Sequence, residues 1–299
     1  YVTYSFFYNK EIESNKMKCN LCNSKNYKKR KGSVRDNKNL EIFECCDCGL
    51  VFLSQDNHID ETFYENSNMH QTFDFYKWRN ETLADDTRRF KFLKNSLINK
   101  KVLDFGSGNG GFLKLTRNVS KIVLGIELEK AIIPFYKDEN ISIENSLDRI
   151  NEKFDIITSF HVVEHIKEPL IIFEKLKKLL EDNGKLIIEV PNANDALLTI
   201  YENEAFSNFT YWSCHLYLYT QHTLELLAKK AGLKVEFIKH IQRYPLSNHL
   251  HWLSKNKAGG HEKWGNFLDS KDLNQAYENQ LATLGATDTL IACFTKEVK

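Results

Sequence analysis

The segment from Val102 to Phe112 constrains the fold more than any other part of this 299-residue sequence. It reads VLDFGSGNGGF, a short apolar run that leads into a glycine-rich loop. Glycine adopts positive φ and has no Cβ, so the backbone of such a loop can approach a ligand closely. A following helix would add unpaired N–H groups at its start. The segment therefore predicts a strand–loop–helix unit that binds a nucleotide-like cofactor.

From Lys101 onward, apolar runs alternate with amphipathic stretches, as they do in parallel strand–helix units. This pattern predicts an α/β fold, a doubly wound Rossmann-like sheet of seven strands with its ligand crevice at the carboxyl ends of the strands. The predicted strands cover 102–105, 122–126, 141–143, 155–160, 185–190, 234–238 and 289–295.

An acidic residue narrows the expected ligand. Glu127 ends the second predicted strand, 23 residues after Asp104, where a carboxylate can accept hydrogen bonds from both hydroxyls of a ribose. The loop lacks the Lys-Ser/Thr ending of a phosphate-binding loop, which disfavours nucleoside triphosphate hydrolysis. An adenosine site is therefore expected, and a nicotinamide dehydrogenase is an alternative.

Four cysteines near the start of the chain form two CxxC pairs, Cys19 with Cys22 and Cys45 with Cys48. Two such pairs, separated by a stretch of 22 residues, predict one tetrahedral structural zinc ion with no ligand position left for water. The basic residues between the pairs either contact phosphate or form a solvated surface, and the net charge of +1 disfavours a nucleic-acid partner. These residues are Lys25, Lys28, Lys29, Arg30, Lys31 and Arg35.

The sequence divides into parts of different composition. We predict a loosely packed tail (1–16), a zinc-binding module (17–60), an aromatic and helical linker (61–98) and a main domain (99–299) with a substrate-cap insertion (239–287). In the linker, a helix is expected over 82–97. Tyr64, Tyr76 and Trp78 either reach the active site or join the two parts of the protein.

The sequence also indicates a cellular compartment. No apolar run approaches the ~20 residues of a membrane-spanning helix. Residues 1–16 lack the apolar core of a secretory signal, and the seven cysteines are an odd number. Reduced thiols and a cytoplasmic protein are therefore expected.

Two histidines and a glutamate follow the fourth predicted strand in the string His161-Val-Val-Glu164-His165. In a helical turn these three side chains would share one face. They either include a general base or hold a divalent ion together with His215, or they are structural imidazoles. The string also matches an H-x-x-E-H zinc-protease signature, but it caps a strand and is cut off by Pro169.

Taken together, VLDFGSGNGGF, VLGIELEK, FDIITSFHVVEHIKEP, LLEDNGKLIIEVPN and DTLIACF resemble class I S-adenosylmethionine (SAM)-dependent methyltransferases, over about residues 95–240 and 288–299. The resemblance implies SAM as cofactor, with the glycine loop and Asp104 beside its methionine part, Glu127 on its ribose and residues 145–147 beside adenine. The implied cofactor residues are Asp104, Phe105, Gly106, Ser107, Gly108, Gly110, Glu127, Leu128, Asn145, Ser146, Leu147 and Phe160.

The histidine string is similar to the E-x-x-E-H and later histidine of metal-dependent small-RNA 2′-O-methyltransferases and ubiquinone-pathway O-methyltransferases. That similarity implies magnesium or another divalent ion at His161, Glu164, His165 and His215, with His161 in place of a glutamate. A zinc module before such a domain resembles bacterial sugar methyltransferases. It implies O-methylation of a nucleotide-linked or polymer sugar in surface-glycan biosynthesis. Sugar C-methylation, RNA 2′-O-methylation or nucleic-acid binding, and a non-catalytic interaction protein are the alternatives.

Overall fold

The computed structural model describes residues 17–59, 63–65 and 74–297. The predicted tail (1–16) lies outside the described residues, as do residues 60–62 and 66–73. In chain order, the strands and the first helix are β1 (Tyr27–Lys29), β2 (Ile42–Cys45), β3 (Val51–Leu53), α1 (Phe75–Leu97), β4 (Lys101–Phe105), β5 (Ile122–Ile126), β6 (Ser142–Glu144), β7 (Phe154–Phe160), β8 (Leu180–Pro191), β9 (Tyr217–Leu218), β10 (Leu233–Ile241) and β11 (Thr289–Lys296). The other helices are α2 (Gly111–Thr116), α3 (Ile133–Asp138), α4 (Pro169–Leu179), α5 (Ala196–Thr199), α6 (Glu204–Thr210), α7 (Gln221–Lys230), α8 (Leu246–Lys255), α9 (Gly260–Lys263), α10 (Gly265–Leu268) and α11 (Lys271–Thr283).

The main sheet has seven strands in the order β10-β11-β8-β7-β4-β5-β6, which confirms the predicted fold class. Strands β4 to β8 are parallel, whereas β11 runs antiparallel to both β8 and β10. The strand order reverses between β4 and β7, so the crevice for a ligand opens beyond the carboxyl ends of these central strands. Their apolar residues are buried on both faces, as expected for parallel strands covered by helices.

Helix α1 begins seven residues before the predicted start at position 82. The Asp74 side chain caps it by accepting a hydrogen bond from the Lys77 backbone N–H at 3.0 Å. Leu93 and Leu97 are buried, whereas Asp86 and Arg89 are buried polar residues of the same helix. The extra turns bring Trp78 to the crevice.

The cysteine-rich part folds into a four-stranded antiparallel sheet in the order β1-β2-β3-β9. Strand β9 comes from far along the chain, and Val51 and Phe52 pair with Leu218 and Tyr217. One hydrophobic core extends from Cys19 and Ile42 into the main sheet. The cysteine module and the main domain therefore share a sheet and a core.

The predicted insertion (239–287) begins within β10 and continues through α8 to α11. His249, His251 and Trp252 of this insertion are buried. No helix in the described part of the chain is long and apolar enough to cross a membrane.

Candidate active site

A cavity of about 410 Å³ lies at the carboxyl ends of the central strands, between the glycine loop, the segments after β5 and β7, and α1. This size is within the range of small-molecule sites. The cavity is lined by ten of the predicted site residues: Asp104, Phe105, Gly106, Ser107, Gly108, Glu127, Leu128, Phe160, His161 and His165. Six others are not among its lining residues: Gly110, Asn145, Ser146, Leu147, Glu164 and His215.

Three glycines of the loop adopt backbone conformations that favour glycine. Gly106, Gly108 and Gly110 have φ values of 75°, 52° and 70°. A Cβ at Gly106 would overlap the side chain of Val162, and one at Gly110 would lie 2.9 Å from the Tyr136 ring. Gly110 thus shapes the loop from behind without facing the cavity.

The Glu127 carboxylate has a fixed orientation on the cavity wall. Its Oε2 accepts a hydrogen bond from the Gly108 N–H at 2.7 Å, and its Oε1 accepts from Leu128 and Glu129 N–H groups at 2.7 and 3.0 Å. The first bond links the segment after β5 to the glycine loop, and the other two fix the carboxylate against its own backbone segment. The carboxylate is thereby held where the sequence predicts a ribose contact.

Asp104 is buried at the carboxyl end of β4 and lines the same cavity. The Thr158 hydroxyl donates a hydrogen bond to its Oδ1 at 2.6 Å. Burial raises the pKa of Asp104 to about 7, although the Thr158 bond opposes this shift. The carboxyl therefore titrates close to neutral pH.

The segment predicted to lie beside adenine is one strand further from the centre of the sheet. Ser146 caps a short 3₁₀ turn (Leu147–Arg149), and Leu147 is buried. The corresponding wall of the cavity is instead formed by Leu128, Glu129 and Ala131. The adenine contact of residues 145–147 stays a prediction.

The histidine string forms a 3₁₀ turn over Val163–His165 and not a helical turn that starts at His161. His161 has a φ of 55°, and its Nδ1 lies 3.3 Å from Oε1 of Glu164. Its Nε2 lies 3.2 Å from Nη1 of Arg243 and 3.3 Å from Oε1 of Glu189. Burial opposes ionisation of Glu164, but the His161 bond and the nearby imidazoles lower its pKa to about 2.

His165 points away from this pair, toward the segment before β9. Its Nδ1 lies 2.9 Å from the backbone carbonyl oxygen of Cys214, which can only accept, so Nδ1 carries the hydrogen. Burial lowers the pKa of His165. The side chain is therefore a neutral imidazole whose Nε2 is an acceptor, and it lines the cavity.

The four side chains predicted to hold a divalent ion do not form one ligand group. His215 packs edge-on against His165, with ring centroids 4.7 Å apart, and burial lowers its pKa to about 3. The donor atoms that converge within 4.8 Å belong to His165, Cys214 and His215. Two imidazoles and a thiol do not match the oxygen ligands that magnesium prefers, so no step below uses such an ion.

One face of α1 forms a wall of the site, and Trp78 is its only residue that the sequence had offered as a candidate. Trp78, Thr82, Asp85, Asp86 and Arg89 line the cavity at helical spacing. The signal in the sequence that could have found this wall is the recurrence of polar residues three and four positions apart, in a helix that also packs on the core. Tyr64 and Trp78 do reach the cavity, whereas Tyr76 is 71% exposed and packs against Phe135.

Buried charges connect this wall to the sheet. The Glu189 carboxylate, at the end of β8, accepts hydrogen bonds from Arg88 and Arg89 at 2.7–3.0 Å. Asp85 binds the guanidinium of Arg243, which alone in the fully described 239–287 insertion lines the cavity. The predicted substrate cap therefore contributes one side chain, that of Arg243, to the wall of the cavity.

The four predicted zinc ligands converge. Sγ of Cys19 lies 3.5 Å from Sγ of Cys48, Sγ of Cys22 lies 3.5 Å from Sγ of Cys45, and all four atoms are within 4.8 Å of one another. Thiolates around a tetrahedral zinc ion are ~3.8 Å apart, so these residues fit the ion. Zinc bound here would supply a structural cross-link.

The sheet, the glycine loop and the acidic residue after the second central strand together define a class I SAM-dependent methyltransferase. Residues 75–237 match the family described as "Methyltransferase domain", and the chain belongs to that family. Two similar proteins are named ubiquinone biosynthesis O-methyltransferase. The one from Coxiella burnetii (strain Dugway 5J108-111) is 28% identical over 176 residues, 54% of this chain and 75% of that protein. The one from Histophilus somni (strain 2336) is 26% identical over 202 residues, which are 61% of this chain and 78% of that protein.

Solved structures share the fold. The magnesium protoporphyrin IX methyltransferase from Synechocystis PCC 6803 with bound SAH has a TM-score of 0.50 at 11% identity, over 81% of this chain and all of that chain. A chain from the complex of the Haloferax volcanii Trm112 methyltransferase activator and a putative methyltransferase also has a TM-score of 0.50, at 14% identity. The match covers 75% of this chain and 98% of that chain. At these identities the similarity shows the fold alone.

Proposed function

We propose that the protein methylates a hydroxyl group of a polar, sugar-like acceptor and that His165 is the general base. The observation that carries this proposal is the 2.9 Å bond between His165 Nδ1 and the Cys214 carbonyl. It leaves Nε2 as the acceptor nitrogen of a neutral imidazole that lines the cavity. Asp104 and the glycine loop would hold the methionine part of SAM, and Glu127 its ribose.

Bound SAM supplies an electrophilic methyl group, so the protein must align the acceptor and increase its nucleophilicity. The hydroxyl oxygen forms the new bond to the methyl carbon while the carbon–sulfur bond breaks. Nε2 of His165 takes the hydroxyl proton. Because burial lowers the pKa of His165, the imidazole is neutral and ready to accept this proton at physiological pH.

The lining of the cavity favours a polyhydroxylated acceptor. Thr82, Asp85 and Arg243 offer donors and acceptors, and Tyr64 offers an aromatic face, a combination that suits sugar rings. A phenolic acceptor is the second candidate, because the two relatives above are named for ubiquinone biosynthesis. Sugar C-methylation would use the same base on an acidic carbon.

An RNA acceptor has less support. Lys28, Lys29 and Arg30 form ion pairs with Glu41 and Glu44 within the cysteine module, and Arg35 stacks 4.4 Å above the ring of Trp212. These contacts engage most of the basic loop that was a candidate for phosphate binding.

The test is a methyl-transfer assay with labelled SAM and two acceptor classes, nucleotide sugars (UDP-glucose, dTDP-glucose) and 3,4-dihydroxybenzoate. We expect turnover with a nucleotide sugar, its loss in His165→Ala, and unchanged affinity of that variant for SAM. Glu127→Ala should weaken SAM binding. His222→Ala removes an exposed imidazole on α7 and is the control. Full turnover in His165→Ala would contradict the assignment of the base.

A further inference from the structure

The cysteine module contacts the chain just before β9 at several points. We call residues 211–218 the bridging segment. Its backbone carbonyls at Tyr211 and Leu216 accept hydrogen bonds from Arg35 and Leu53 of the module at 2.9 and 3.2 Å. Its last two residues form β9, which pairs with β3. The module therefore fixes the position of this segment along its whole length.

Ser213, at the centre of the bridging segment, is bound most completely. Asp36 accepts hydrogen bonds from its backbone N–H at 2.9 Å and from its hydroxyl at 2.7 Å. Nε2 of His58 donates to its carbonyl oxygen at 2.8 Å. Two side chains of the cysteine module thus satisfy the backbone N–H, the hydroxyl and the backbone carbonyl of one residue.

The residues that follow Ser213 contact the active-site imidazole. The next carbonyl, that of Cys214, accepts the hydrogen bond from His165 Nδ1, and the ring of His215 packs against the His165 ring. The Cys214 carbonyl belongs to the peptide group that follows the anchored Ser213, so a shift of the backbone at Ser213 and Cys214 would move this carbonyl. His165 would then lose the bond that sets its tautomer.

We propose that Asp36 is a positioning residue for the active site, and that the cysteine module holds the bridging segment so that His165 keeps its hydrogen on Nδ1. Asp36 is exposed and does not line the cavity, so it acts only through Ser213 and Cys214. The inference rests on the proposed role of His165 for its catalytic consequence. The effect on the tautomer is independent of that role.

The experiment measures the tautomer directly, in the full-length protein with its native metal content. Long-range ¹H–¹⁵N NMR of ¹⁵N-histidine-labelled protein distinguishes Nδ1–H from Nε2–H, and His165→Ala assigns the signal. We compare Asp36→Ala and Asp36→Asn with Glu41→Gln, which removes an exposed carboxylate that pairs with Lys29 in the same module. Calorimetry with S-adenosylhomocysteine reports the integrity of the cofactor site.

In the wild type and Glu41→Gln we expect the Nδ1–H form of His165. In Asp36→Ala we expect a several-fold rise of the Nε2–H form with S-adenosylhomocysteine affinity unchanged. Asp36→Asn, which keeps one acceptor oxygen, should lie between the two. If Asp36→Ala does not fold, the tautomer of His165 in Asp36→Asn tests the inference alone.

A His165 signal in both Asp36 variants that matches Glu41→Gln would overturn the inference. Failure of the proposed function would look different. In that case His165→Ala would retain full turnover, whatever the tautomer in the Asp36 variants.

Discussion

Replacing Glu189 with glutamine should destabilise the protein strongly. The Glu189 side chain is completely buried and receives five hydrogen bonds from two guanidinium groups. Burial opposes its ionisation, but Arg89, His161 and Arg88 hold its pKa well below the ordinary value. Removal of one member of a buried ion pair costs roughly 3–5 kcal/mol, because the remaining charge is left without compensation.

The position of the two arginines decides where in this range the change falls. The Arg89 side chain is 9% exposed and also binds Asp86, whereas Arg88 is 28% exposed and can regain water. We therefore expect the free energy of unfolding to fall by about 3 kcal/mol, the lower end of this range. For a chain of this length the unfolding entropy is about 0.6 kcal/mol/K, so the melting temperature should fall by about 5 °C.

Urea and thermal unfolding followed by far-UV circular dichroism measure both quantities. The control is Asp182→Asn, at the other end of β8, whose carboxylate is 93% exposed and lies 3.5 Å from Lys296. An ion pair whose carboxylate is this exposed adds little stability, so the midpoint of Asp182→Asn should match that of the wild type. Equal midpoints for the two variants would refute the view that Glu189 anchors α1 to the sheet.

SAM affinity should rise from pH 5.5 to 8, because burial raises the pKa of Asp104 to about 7 and a positive sulfonium favours the ionised carboxylate. Calorimetry in buffers of different ionisation enthalpy should show proton release near pH 6.5 for the wild type and none for Asp104→Asn, and a flat affinity would contradict this. For the metal, elemental analysis should find one zinc per chain in the wild type and Cys46→Ser but not in Cys48→Ser, because the thiol of Cys46 is exposed and lies outside the four-sulfur group. Equal zinc in both serine variants would remove the zinc assignment.

The central strands could be predicted because buried parallel strands are nearly continuous apolar runs. Val102 and Leu103 in β4, and Ile187 and Ile188 in β8, are buried on a sheet covered by helices. The bounds were less accurate. Strand β8 starts at Leu180, five residues before the predicted start. The polar stretch at its beginning resembles a turn in sequence, but in the structure it is part of the strand. The start of α1 was missed because its cap, Asp74, precedes an aromatic stretch without clear periodicity.

The cavity wall formed by the glycine loop was predicted from local sequence, whereas contacts between distant segments could not be. The bond between His165 and Cys214 joins residues 49 apart in sequence, and β9 joins the cysteine module from more than 160 residues away. Nothing in the residue types of these segments specifies their pairing. The predicted helical turn does not form at His161. The positive φ of this residue lies outside the right-handed helical region, so the chain leaves β7 in another conformation.

The three imidazoles near the cavity can be assigned different roles from their hydrogen bonds. A general base needs access to the acceptor and one nitrogen with an available lone pair. His215 does not line the cavity, and both nitrogens of His161 already face protein groups, Glu164 on one side and Arg243 with Glu189 on the other. Only His165 meets both requirements, since among the described residues its Nε2 has no hydrogen-bond partner. Hence His161→Gln should retain more turnover than His165→Gln, although both variants preserve side-chain volume.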